Sequence, residues 1–132
     1  MSGTVCALAA ASYDYQEIKA VVDKHFELLE LDRLVKPGMK IVLKPNLLSR
    51  AIPERAITTH PAVFSAVCRL LREEGCEHLS YGDSPGSPTT TPDKAAEAAG
   101  IAEAAAQYNV SKADFSSGSV VQFPQGRTAK SF

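Results

Sequence analysis

Apolar residues fall along this chain in two rhythms that alternate. A short, unbroken apolar run occurs at residues 5–9 (VCALA), and further strands are expected at 40–44 (KIVLK) and 77–82 (EHLSYG). Continuous runs of this length suit strands buried on both faces, as in a parallel sheet. Between them the spacing turns helical. Ile18, Val21, Val22, Phe26 and Leu29 make one stripe, with Asp23, Lys24 and Glu27 largely off it. Val63, Phe64, Val67, Cys68, Leu70 and Leu71 make the buried side of a second helix, and Arg69, Arg72, Glu73 and Glu74 its wet side. An alanine-rich third stretch follows Thr91-Pro92, breaks at Gly100 and resumes through Tyr108, and two further short strands are expected at 110–115 and 119–123.

Local signals sharpen the boundaries. Asp14 followed by Glu17 has capping-box spacing, which starts the first helix and lets it run to about Leu31. Thr58 or Thr59 can cap the second helix, Pro61 suits its first turn, and Gly75 is a natural stop. Pro45 ends the second strand because it cannot donate to a ladder. Residues 46–59 form a long connection without periodicity, and connections of that length inside a compact domain are often functional. Strand and helix in alternation predict βαβ units with right-handed crossovers. The expected fold is an α/β three-layer sandwich with a mostly parallel sheet.

Composition narrows the class of function. The chain has 132 residues, enough for one domain, with 45% hydrophobic and 22% charged residues. Such a domain buries roughly 65–70% of its unfolded surface. Fourteen Lys plus Arg against fifteen Asp plus Glu give a net charge of -1, which argues against a nucleic-acid footprint. The apolar opening lacks the basic residues that precede a signal peptide's core. No run approaches the roughly 18–20 apolar residues that span a bilayer, so the expected location is the cytoplasm. Cys6, Cys68 and Cys76 form no CxxC pair and read as reduced, mostly buried thiols.

Ligands of parallel α/β sheets bind outside the carboxyl ends of the strands. That rule gathers Lys44, Asn46, Asp83 and Ser84 near one crevice, with the long connection folding over it. Asp83 can ligate a metal or act as an acid or base, or it can simply satisfy loop N–H groups in an Asx-turn. The GDSPGS loop at 82–87 resembles a phosphate cradle but matches neither common phosphate-loop pattern. Lys44 suits either an anion contact or a salt bridge to Asp83, and Asn46 either a turn or a ligand contact. His60, at the start of a helix, can be a metal ligand or proton carrier, or a partly exposed cap residue. His25 and His78 read as structural, and no two histidines have zinc-ligand spacing. A serine nucleophile finds no elbow motif here.

Three strings together carry a resemblance: VLKPNLLS at 42–49, TTHPAVFSAVCRLLREEG at 58–75 and YGDSPG at 81–86. The chain resembles the bacterial and archaeal family called domain of unknown function 362 over most of its length, from about Val5 to the end. Members of that family are often joined to ferredoxin-type iron–sulfur modules. The resemblance implies an α/β domain of unsettled activity, with motif positions Lys44, Asn46, Thr59, His60, Asp83 and Ser84 as ligand-binding candidates and Asp83 with His60 as the metal candidates. A distant similarity to nickel-pincer lactate racemases implies a small-acid or metal-cofactor site. Family members typically continue further, so residues 1–132 are expected to be the N-terminal portion of a longer family domain. With no cysteine quartet, a 4Fe-4S cluster would have to come from a segment or partner outside this chain.

Three functions are expected as alternatives. The crevice binds an anionic small molecule or a divalent metal; or the domain is an accessory to a ferredoxin-like redox module; or it is a non-catalytic scaffold that pairs with itself through an exposed sheet edge. Neither nucleic acid nor membrane is expected as a partner.

Overall fold

Asp14 opens the first helix as the sequence predicts, its carboxylate accepting from the N–H groups of Gln16 and Glu17. The computed structural model of the chain describes residues 3–85, 89–115 and 117–131. Helix α1 spans Tyr15–Leu28, and a 3-10 turn at Leu31–Arg33 leads out of it. Glu17 does not complete the capping box. Its carboxylate instead reaches further back and accepts from Ala11 N–H, Ser12 N–H and the Ser12 hydroxyl.

Strand β1 covers Lys40–Leu43, helix α2 Pro61–Glu73, and strand β2 His78–Tyr81. The alanine-rich stretch divides into α3, Pro92–Ala98, and α4, Ile101–Gln107. The break falls at Gly100, whose φ of 73° an L side chain rarely adopts. Strand β3 is only Ser111–Lys112. The sheet order is β1-β2-β3, and both pairings are parallel, with Leu43 opposite Tyr81 and Tyr81 opposite Lys112. Helix α2 lies in the connection between β1 and β2, and α3 and α4 lie in the one between β2 and β3. The fold is therefore α/β with a three-stranded parallel sheet.

Three expectations change. Residues 5–9 form no ladder, and Val5 is 90% exposed. The grip of Glu17 on residues 11 and 12 sets how the chain enters α1, and two alanines in that run leave little apolar area to hold a strand in place. Residues 119–123 also form no strand, but Gln122 makes an isolated antiparallel bridge with Ser131. Nor is the sheet buried on both faces. Ile41, Leu43, Leu79 and Tyr81 join the core, whereas Lys40, Val42 and His78 on the other side are exposed. Burial alternates with period two along both strands, where the expected three-layer sandwich would cover both faces. Among the described residues one sheet face is covered.

The core lies between that face and the helices. Leu47, Cys68, Ile101, Ala95 and Ala99 are all fully buried in it, and small alanines let α3 and α4 approach closely. Burial pushes the Cys68 thiol up to about 12, with Arg72 opposing, so it is an inert core thiol. Cys76 is buried too, and its thiol donates to the carbonyl of Lys36.

At the other end of the sheet, Arg72 ties two chain turns together. Its guanidinium donates to the carbonyls of Cys76 and Glu77, just before β2, and to those of Tyr108 and Asn109, just before β3. Replacing it strands four acceptors at the point where both strands begin. Arg72→Met should lower unfolding stability by about 2–4 kcal/mol in urea titration, because bonds to a charged donor are each worth ~1.5–3 kcal/mol and solvent recovers part of the loss.

Candidate functional site

The carboxyl end of the sheet is organised by one side chain. Asp83 follows β2 by two residues, and its side chain is only 5% exposed. One oxygen accepts from Lys44 Nζ at 2.6 Å, and the other from the backbone N–H of Leu47 at 2.8 Å. Burial acts to raise its pKa. The Lys44 hydrogen bond, the N–H groups of Leu47 and Ser84 and the Lys44 charge together outweigh burial, and hold the carboxyl below its usual range. Asp83 is thus ionised, and its oxygens are taken up in joining the exits of β1 and β2. That arrangement is the N–H-satisfying role, extended by a lysine.

The long connection is pinned at both ends. Asn46 N–H donates to the Thr59 hydroxyl at 2.9 Å, and Thr59 N–H returns to the Asn46 carbonyl at 3.1 Å. Leu47 inserts fully into the core behind this closure. Helix α2 is capped by His60, where Thr58 or Thr59 was expected. His60 Nδ1 accepts from Ala62 N–H at 3.2 Å, which places the proton of the neutral ring on Nε2. Its ring stacks on Tyr13 with centroids 4.0 Å apart. Burial disfavours the imidazolium, with Glu54 weakly opposing, so His60 sits below the usual histidine range. The cap reading of His60 therefore has a geometry.

Lys44 and Asp83 come together, as do Asn46 and Thr59, with His60 next in the chain. Ser84 is exposed, and its contribution is the N–H given to Asp83. Of the GDSPGS loop, Gly86 and Ser87 lie outside the described residues, as does Pro88. Thr91 caps α3 by accepting from Lys94 N–H. Among the described residues no three His, Cys, Asp or Glu side chains are grouped to hold a metal ion. The thiols do not gather either, with Cys6 in the N-terminal segment and Cys68 and Cys76 in the core. The residues present do not fit a thiolate-held cluster.

A crevice of about 390 Å³ opens beside Asp83, lined by Leu47, Tyr81, Asp93, Lys112, Asp114 and Phe115 among others. The ring of Phe115 lies so close over Gly82 that a Cβ there would have to displace it. Lys112 forms an ion pair with Asp93. That hydrogen bond raises the Lys112 pKa against its desolvation, with the Asp93, Tyr81 and Asp114 charges adding to it. Burial first, then the Asp93 charge, raises the Tyr81 phenol. Sequence reasoning did not single out Asp93, Lys112 or Asp114. It drew a strand from 110 to 115, which put Lys112 in the middle. The strand ends at Lys112, at the ligand edge.

The Asp83 contacts make a pH-dependent prediction. A carboxyl held below its unfolded value of about 3.9 contributes stability above that pH, and loses it as pH falls through the folded pKa. Asp83→Ala should cost about 1–3 kcal/mol at pH 7 by stranding the buried Leu47 N–H. The difference from the parent chain should shrink by pH 3 in urea titrations.

A protein of Synechocystis sp. (strain ATCC 27184 / PCC 6803 / Kazusa) described as "Thylakoid-associated protein sll1697" is 37% identical over 86 residues. That match covers 64% of this chain and 26% of the relative, so the chain spans about a quarter of the relative's length. No solved structure matches. The family described as domain of unknown function (DUF362) matches residues 41–132, a range that takes in Lys44, Asn46, Thr59, His60, Asp83 and Ser84 and leaves out residues 5–40 of the expected span. This chain belongs to the DUF362 family.

Proposed function

We propose that the crevice at the carboxyl edge of the sheet binds a small molecule through an anionic group, a carboxylate or phosphate, set against Lys112. The observation that carries this reading is the Lys112–Asp93 pair at the crevice wall. Asp93 favours the charged form of the lysine and restrains its long side chain. An ammonium has three donors, and the pair leaves two of them for a ligand. Lys44 stands in a similar relation to Asp83 on the side of β1. A crevice of this size, with apolar wall at Leu47, Tyr81, Pro92 and Phe115 beside its charged groups, is of the kind that takes small ligands. A divalent cation is less well served, because Asp83 and Asp93 already hold lysines.

Calorimetric titration with a panel of carboxylates and phosphates tests the reading. At least one should bind, and Lys112→Ala should weaken it about tenfold, the loss of one charge-assisted contact. Binding of Mg²⁺ or Mn²⁺ with no response to any anion would overturn it.

A second reading has its own support. The uncovered sheet face carries Val42 at 56% exposure opposite Ser80, two residues along from the Lys40–His78 pair. We propose that this face receives a further layer from another polypeptide segment, completing a three-layer sandwich within a larger unit. In the chain by itself the same face should drive self-association. Sedimentation at rising concentration should show dimers, and Val42→Lys should return them to monomers. A chain that stays monomeric to its solubility limit would count against this.

A further inference from the structure

On the anion reading of the crevice, on which this rests, we infer that the ligand is a monocarboxylic acid held by two donors. Lys112 donates to one carboxylate oxygen, and the hydroxyl of Tyr81 donates to the other.

Tyr81 and Lys112 stand in register on the parallel strands β2 and β3. Such partners project from the same face of a sheet, on strands ~4.8 Å apart. Tyr81 belongs to the core, so the shared face is the one under the helices, and there Lys112 meets Asp93 of α3. The Tyr81 ring stands edge-on to Phe64, with centroids 5.7 Å apart, which fixes its direction. The residue is only 8% exposed and lines the crevice. The charges of Asp93, Lys112 and Glu97 all act on its phenol, so the hydroxyl lies toward α3 and the exit of β3.

A tyrosine buried this deeply ordinarily gives its hydroxyl a protein partner. Among the described residues the Tyr81 hydroxyl makes no hydrogen bond. Nor is its oxygen sealed from solvent, unlike the unpartnered hydroxyl of Thr58. It opens on the crevice with a donor to spare. Burial, then the Asp93 charge, raises the phenol against the pull of Lys112, so the donor keeps its proton at neutral pH.

This pair of donors selects among anions. Of the described residues lining the crevice, Lys112 is the one cation, and Asp93 already claims part of its charge. A carboxylate spreads one charge over two oxygens, which an ammonium and a neutral hydroxyl match. A phosphate monoester carries a charge of about −1.5 to −2 at neutral pH. Its second charge finds no cation among these walls and faces Asp93, and like charges repel strongly where water is partly excluded. Leu47, Pro92 and Phe115 offer an apolar wall to an aliphatic or aryl body.

Calorimetry at neutral pH with isosteric pairs tests the assignment: phenylacetate beside phenyl phosphate, hydrocinnamate beside benzyl phosphate, and hexanoate beside butyl phosphate. At least one carboxylate should bind about tenfold or more tightly than its phosphate. Tyr81→Phe should weaken that carboxylate about tenfold, the loss of one charge-assisted hydrogen bond. The same variant should unfold at an unchanged urea midpoint, because the hydroxyl it removes has no partner in the fold. Phosphates that bind as tightly as their carboxylates, or a carboxylate affinity that Tyr81→Phe leaves unaltered, would overturn the inference and leave the anion reading standing. A lowered urea midpoint in Tyr81→Phe would show the hydroxyl to be used within the fold, and would also overturn it. Binding by no member of either series would overturn the inference and the anion reading together.

Discussion

The carboxylate of Asp83 is the point on which the ligand edge of this domain depends. It gathers the side chain that follows β1, the backbone that enters the long connection, and its own loop after β2. Without it, a buried N–H of Leu47 and the Lys44 ammonium would lose their shared acceptor. The two strand exits would then be joined only by Gly82 N–H bonding to the Leu43 carbonyl. An ionised group is costly to bury, and it is tolerated here because every contact on it is a donor. The same donors that settle the charge also fix the direction in which Asp83 points. Its contacts hold the exits of β1 and β2 together at the edge where ligands of such sheets bind.

Much of the fold was legible because periodicity and punctuation agreed. Asp14, Pro61, Gly75 and Gly100 mark element ends by mechanisms that act within a few residues, so no tertiary information was needed. What failed depended on partners. Residues 5–9 and 119–123 have strand-like composition, yet a strand exists only where a neighbour offers a ladder, and none does for them among the described residues. Val42 looked buried because it stands in an apolar run. The run is in fact an alternation, hidden by an apolar residue on the exposed side.

The site was legible to the same degree. Lys44 with Asp83 was visible from the carboxyl-end rule, and so was the neighbourhood of Asn46. Their exact partners were not, since Thr59 and Asn46 close a loop across thirteen positions and Leu47 reaches Asp83 across thirty-six. His60 was placed correctly at a helix start, but its capping role went past the residues that usually cap, Thr58 and Thr59. Lys112 and Asp93 were missed because their meaning comes from where β3 stops. A boundary error of three residues is enough to turn a crevice lysine into a mid-strand one.

That dependence on one short strand has a physical consequence for the crevice. Strand β3 has two residues, so Lys112 and Asp114 are held less by ladder bonds than by their side-chain partners, Asp93 from α3 and Ser117 from the following turn. The opposite wall is built on Asp83, Leu47 and the core behind them and is stiff by comparison. A group bound at Lys112 would have to order the wall on the side of β3, at a cost to its binding free energy. The short third strand thus leaves the wall at Lys112 dependent on side-chain contacts, whereas the wall at Asp83 is backed by the core.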